Sequence, residues 1–254
     1  MVLKGKVAIV HGAGGAIGGA VARAFAREGA RLFLTGRNLA PVAAVANNVL
    51  ASGGVVDAAV VDALDEDAVD QHAARVADDA GGIDVVLNAI GFPVVQGVPL
   101  IDLKREDFGH PIATWTTTQF LTARAAARHM IPKRSGVILT LSASPARLAV
   151  ALTGGFAVAC AAVEGLTRTL AAELGPQGVR VVCIRPHRIG DTLGSDADFD
   201  MEPDKFRRLI EDMTLLKRLP TLDEVANTAA FLASDHAAAM SGAVANLSCG
   251  MSVD

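Results

Sequence analysis

The run Lys6-Val-Ala-Ile-Val-His-Gly-Ala-Gly-Gly-Ala-Ile-Gly-Gly19, continuing to Gly29, constrains this chain most, because it reads as strand, glycine turn and helix in immediate succession. Residues 7–10 form an apolar run suited to a strand buried on both faces. Ile17, Ala20, Val21, Ala24 and Phe25 recur at the spacing of one helical face, Arg23, Arg27 and Glu28 fall elsewhere, and Gly29 supplies a stop. Gly12, Gly15 and Gly18 are spaced three apart between strand and helix, the setting in which a glycine loop carries the phosphates of a dinucleotide onto a helix N-terminus. Outside that setting the same glycines are only a tight turn.

The pattern then repeats. Apolar runs at residues 32–35, 55–61, 83–87, 137–141, 179–184 and 243–247 read as six further strands, separated by helical stretches. Asn38 begins one helix and Asp65-Glu66 charges the start of another, which Gly81-Gly82 closes. The long stretch 104–130 is expected to kink or restart near Gly109 and Pro111, since proline cannot donate to the preceding turn. An apolar helix at 154–174 stops at Gly175-Pro176, and Thr221 with Glu224 forms a capping box for the last helix. Strands alternating with helices predict an α/β fold, a Rossmann-type doubly wound parallel sheet of seven strands. With 254 residues, 51% of them apolar, and no linker, residues 1–254 are expected to form one domain. The poorly periodic segment near 185–215 reads as a lid over the carboxyl ends of the strands.

A net charge of -4 gives no footprint for nucleic acid and little attraction to anionic membranes. No run approaches the length needed to span a bilayer, and the apolar run after Lys4 and Lys6 is too short for the core of a signal peptide, so a cytoplasmic protein is expected. Cys160, Cys183 and Cys249 lack metal-ligand spacing and read as reduced, packed thiols; no metal site is expected.

The residues after the second strand bear on the cofactor. A carboxylate there would accept from an adenosine ribose 2′-hydroxyl, but the sequence is Thr35-Gly36-Arg37, and Arg37 suits a 2′-phosphate. NADP(H) is therefore favoured over NAD(H). The alternative for Arg37 is a solvated surface arginine.

Over nearly its whole length the chain resembles the short-chain dehydrogenase/reductase family. His11-Gly12-Ala-Gly14-Gly15-Ala16-Ile17-Gly18 is similar to that family's phosphate loop, with His11 for its threonine and Ala16 for its middle glycine. Asn88-Ala-Ile-Gly91 is similar to its Asn-Asn-Ala-Gly turn, and Asp62 to its adenine-facing aspartate. Ala162-Val-Glu-Gly-Leu-Thr-Arg-Thr-Leu-Ala-Ala-Glu-Leu174, Gly178-Val-Arg-Val-Val182 and Phe231-Leu-Ala-Ser-Asp235 also resemble family segments. The resemblance implies a nicotinamide site built from Gly12, Gly14, Gly15, Ile17, Gly18, Asp62, Asn88, Gly91, Pro186 and Thr192, with Arg37 beside it. It also implies a catalytic asparagine, serine, tyrosine and lysine, whose slots here hold Trp115, Ala143, Phe156 and Cys160. The chain contains no tyrosine at all, so no phenol is present to donate a proton.

Replacement groups are few. Ser142, Ser144 and Thr153 flank the serine slot and either bind a ligand carbonyl or satisfy local backbone. His187 follows the sixth strand with Arg188 and Asp191, where an imidazole oriented by a carboxylate would serve as acid/base. His11 is expected to stabilise its turn. Two functions remain open: a degenerate member that binds a nucleotide and a small-molecule ligand as sensor or partner subunit, or an oxidoreductase with an atypical acid/base at His187. The helices at 114–130 and 154–174 are apolar on more faces than one sheet covers, which predicts a homo-oligomer, with a tetramer implied by the family.

Overall fold

In the computed structural model, which describes residues 1–192 and 202–253, seven parallel strands lie in one sheet of order β3-β2-β1-β4-β5-β6-β7. The strands are β1 (Val7–His11), β2 (Arg31–Gly36), β3 (Val55–Val60), β4 (Val85–Asn88), β5 (Gly136–Leu141), β6 (Val179–Pro186) and β7 (Val244–Leu247). The helices are α1 (Ala16–Arg27), α2 (Leu39–Ala51), α3 (Glu66–Ala80), α4 (Arg105–Met130), α5 (Gly155–Leu174), α6 (Pro203–Met213) and α7 (Leu222–Ala233). β1, β4 and β5 are buried along their whole length because helices cover both faces, which is why their sequences are continuous apolar runs. β3 is an edge strand, and its exposed Val55 and Val60 show the cost of that position.

Two apolar layers result. One gathers α1, α2 and α7 through Val21, Phe25, Val45 and Leu232; the other gathers α3, α4 and part of α5 through Val76, Met130 and Leu170. Chain order reverses between β1 and β4, so the carboxyl ends of these two strands open a crevice where such sheets bind ligands.

Three expectations change. α4 runs through Pro111 without a restart. The proline's fixed φ suits the helix, and its buried ring packs on Gly155, where an added Cβ would lie 2.9 Å from Pro111 Cγ and 2.0 Å from the Phe108 carbonyl oxygen. β6 continues two residues beyond the expected 184, placing Arg185 in the sheet interior rather than in a loop. The segment near 185–215, expected as a lid, contains a helix, α6, and residues 193–201 of that segment lie outside the described residues. Among the described residues one helical stretch, Gly155–Gln177, is long and apolar enough to cross a membrane, with mean hydropathy 1.2. It holds α5, which packs on the sheet and on α4.

Two histidines sit under the glycine loop. His11 and His72 are both buried, their rings 6.2 Å apart. Burial, and for His11 the neighbouring His72, holds them at about 3 and about 4 respectively, with Arg75 adding to the depression at His72. Both are neutral in the folded protein at pH 7, while in the unfolded chain they take up protons near 6.5. Stability is therefore full above pH 6.5 and falls as pH drops toward 4. We expect His72→Leu to flatten this fall, recovering on the order of 2 kcal/mol of wild-type loss at pH 4 relative to pH 7, read from urea midpoints.

Candidate functional site

Two cavities meet at the carboxyl edge of the sheet. The smaller, about 340 Å³, runs from the glycine loop past Gly36 and Arg37 to Asp62 and Ala63. The larger, about 630 Å³, lies under α6 and is lined by Trp115, Phe156, His187 and the loop 141–153. Gly15 and the Ala89–Gly91 turn border both, so together they form one elongated groove. A third hollow of about 380 Å³ at the opposite strand ends is charged, but its groups are engaged: Asp84 holds Lys133 at 2.9 Å, and Arg180 donates to the carbonyls of Leu232, Ser234 and Met240.

The glycine loop is shaped by close backbone contact. Gly12 has φ +76°, and a Cβ there would lie 2.6 Å from the Ala89 carbonyl oxygen. At Gly18 it would lie 2.3 Å from the Gly12 carbonyl oxygen, and at Gly14 2.9 Å from Pro41 Cβ. Gly15 is looser, at 3.4 Å, and Gly91 has nothing within 4 Å. Gly15 is also the N-cap of α1, no side chain caps that helix, and Ala16 and Ile17 face the larger cavity, leaving first-turn N–H groups for an anion. Gly18 itself lines neither cavity; it lets α1 close on β1. His11 does not face the groove either, since its Nδ1 pairs with Thr35 Oγ1 at 2.8 Å and fixes the loop from beneath.

Arg37 is exposed at the rim of the smaller cavity, and among the described residues no hydrogen bond or ion pair engages it. Asp62 lines the same cavity while its Oδ1 accepts from the Leu64 N–H. Asn88 lines neither: its amide donates to Thr122 Oγ1 and its Oδ1 accepts from the Ile90 N–H, which sets the turn whose backbone forms the groove wall. Pro186 and Thr192 both line the larger cavity. A dinucleotide fits this arrangement, because a Cβ at Gly12 or Gly18 would disrupt the loop and an uncapped helix end and a cation stand beside it.

Trp115, Ala143, Phe156 and Cys160 come from α4, α5 and the end of β5, yet they meet in one apolar cluster with Phe92, Ile112 and Cys183. The Trp115 and Phe156 rings stack at 5.3 Å and 15°, and Phe92 stands edge-on to Trp115 at 5.6 Å. Burial pushes the Cys160 thiol up to about 12, so no thiolate forms there near neutral pH.

The hydroxyls take the local role. Ser142 donates to Glu164, Ser144 to the Pro186 carbonyl and Thr153 to the Val150 carbonyl. His187 stays on the cavity wall with Nε2 lacking a hydrogen-bond partner among the described residues. Burial, then Arg188, holds it at about 4. Its expected orienting carboxylate is elsewhere: Asp191 Oδ2 accepts from the Leu222 N–H at the start of α7, because unpaired first-turn N–H groups attract a carboxylate. Arg188 lies over the Phe206 ring at 5.1 Å.

Sequence reasoning missed a buried ion pair behind the site. Arg185 Nη1 lies 3.2 Å from Glu164 Oε1, with side-chain exposures of 1% and 6%. This joins α5 to β6 and carries Ser142 with it. The signal was present: Glu164 lies one helical turn after Cys160 on an apolar face, where a carboxylate needs a partner.

A family model described as enoyl-(acyl carrier protein) reductase matches residues 12–252. D-threitol dehydrogenase of Mycolicibacterium smegmatis is 32% identical over 241 residues, covering 95% of this chain and 90% of its own. Secoisolariciresinol dehydrogenase of Forsythia intermedia is 29% identical over 94% of this chain and 86% of its own. Among solved structures, a short-chain type dehydrogenase/reductase of Mycobacterium marinum superposes with a TM-score of 0.87 at 27% identity, covering 99% and 97% of the two chains. NAD+-bound xylitol dehydrogenase does so with 0.89 at 25% identity, covering 97% and 99%. The chain belongs to the short-chain dehydrogenase/reductase family.

The loop contacts give a graded test. Gly18→Ala is expected to destabilise the protein by about 2 kcal/mol or more in chemical denaturation, since backbone must move, whereas Gly15→Ala costs under about 1 kcal/mol.

Proposed function

We propose that this protein binds NADP(H) along the groove and a small molecule in the larger cavity, without the family's tyrosine and lysine proton route, and acts as a ligand-responsive or partner subunit. The observation that carries this reading is the apolar cluster of Trp115, Ala143 and Phe156 at the cavity wall with Cys160 buried behind it, in a chain without tyrosine. A nicotinamide supplies a hydride when bound. The phenyl and indole rings offer no acid or base to accompany it, and a thiol held near 12 does not replace an ammonium. Arg37 beside the groove, with no carboxylate after β2, supports preference for the 2′-phosphate.

The competing reading is an oxidoreductase that uses His187 as acid/base. Relatives named as dehydrogenases favour it, as does His187's position at the cavity. Against it stand an imidazole held at about 4, a poor base near neutrality, and the loss of Asp191 to α7.

By calorimetry NADP(H) is expected to bind at least about tenfold more tightly than NAD(H), with Arg37→Ala removing most of the difference. Wild type is expected to show no turnover above background across a carbonyl and alcohol panel with either cofactor. Phe156→Tyr, Cys160→Lys, Ala143→Ser and Trp115→Asn together are expected to restore it if only these groups were lost, since general acid/base catalysis contributes about 10²–10⁴-fold. Turnover in wild type that disappears in His187→Ala would establish the competing reading. We further infer a homotetramer, supported by exposed Phe120 on α4 and Val158 on α5. Light scattering at micromolar concentration checks it, and a monomer would refute it.

A further inference from the structure

We propose that the larger cavity takes a neutral, apolar, ring-bearing molecule with one hydrogen-bonding oxygen, and rejects polyols. The inference rests on reading this cavity as the small-molecule end of the site, and it adds the chemical class of that molecule. The inner wall is the stacked pair of Trp115 and Phe156, a flat surface suited to another ring. Leu148 and Leu152 form one side, and Leu209 and Met213 of α6 close the other.

Polar capacity is small and mostly committed, the half-buried amide of Gln96 being the exception. The hydroxyls of Ser142, Ser144 and Thr153 donate within the protein, and that of Thr192 donates to the Ile189 carbonyl. Arg188 is the one charged side chain on the described lining, and its guanidinium lies over Phe206. Two lining side chains hold a polar atom that is buried and has no partner among the described residues: Trp115 Nε1 and His187 Nε2. The indole is a donor only, so it calls for an acceptor oxygen, and a neutral imidazole pairs with an oxygen as donor or acceptor. A polyol entering this space would bury several hydroxyls against hydrocarbon with few partners, whereas a ring system loses nothing and gains apolar contact. A volume of about 630 Å³ accommodates a two-ring ketone beside a nicotinamide.

The full chain is titrated with 1-decalone and with xylitol, each with and without NADP+, by calorimetry and by the emission of Trp115, the chain's single tryptophan. Saturable binding of decalone at a concentration at least about a hundredfold below any xylitol response is expected, with a change in Trp115 emission. Leu209→Asp, at a half-exposed position, is expected to weaken decalone at least about tenfold, and Leu209→Met to retain decalone binding. Equal or tighter binding of xylitol overturns the proposal, as does absence of a saturable decalone response at millimolar concentration. Decalone binding without any NADP+ binding leaves this inference standing and removes the nucleotide reading; NADP+ binding without decalone does the reverse. Should Leu209→Asp fail to fold, the decalone-to-xylitol ratio on the unaltered chain decides.

Discussion

The contact between the Gly18 backbone and the Gly12 carbonyl is the constraint on which the rest depends. With less than a methyl group's room between them, β1 must hand over to α1 at a fixed angle, and no other residue type permits it. Gly12 is pressed equally against Ala89, so the turn after β4 is located by the same loop. Both walls of the crevice at the β1/β4 reversal are thus set by backbone atoms. Side chains then determine only what the crevice accepts. His11 supports the arrangement from below through Thr35, in a place where a hydroxyl would be the smaller alternative.

Downstream of that frame, geometry and chemistry part company. α4, α5 and the end of β5 bring four side chains to one point, as a catalytic constellation requires, yet what meets there is two rings, a methyl and a buried thiol. The surface they make is ordered by stacking rather than by hydrogen bonds. Water is poorly held on such a wall, and selectivity must come from shape and from a few polar groups, the Gln96 amide and the nitrogen atoms of Trp115 and His187.

Local features were legible in the sequence. The strands, the glycine loop and the capping box of Thr221 with Glu224 each follow from residues close together in the chain, and the strands stand within two residues of their expected bounds. What was not legible depends on distant partners. Pro111 reads as a break until Gly155 is known to lie against it. Asp191 reads as a partner for His187, a neighbour in sequence, but the α7 N-terminus takes it. The apolar side of α6, carrying Ile210, was obscured by the charged residues between, Lys205, Arg207, Arg208 and Glu211. Asn88, expected to bind the cofactor, shapes a turn rather than facing the groove, through a contact with Thr122 that lies 34 residues away.

The Glu164–Arg185 pair carries a consequence for how this sequence can drift. Each charge is withdrawn from water and is held chiefly by the other, and removing one partner of such a pair costs about 3–5 kcal/mol. A hydrophobic replacement of both is near neutral, yet every single-step route to it crosses a protein that has lost much of its margin of stability. The pair therefore works as an evolutionary ratchet: residues around the cavity are free to exchange polar for apolar one at a time, while the strut behind them stays put.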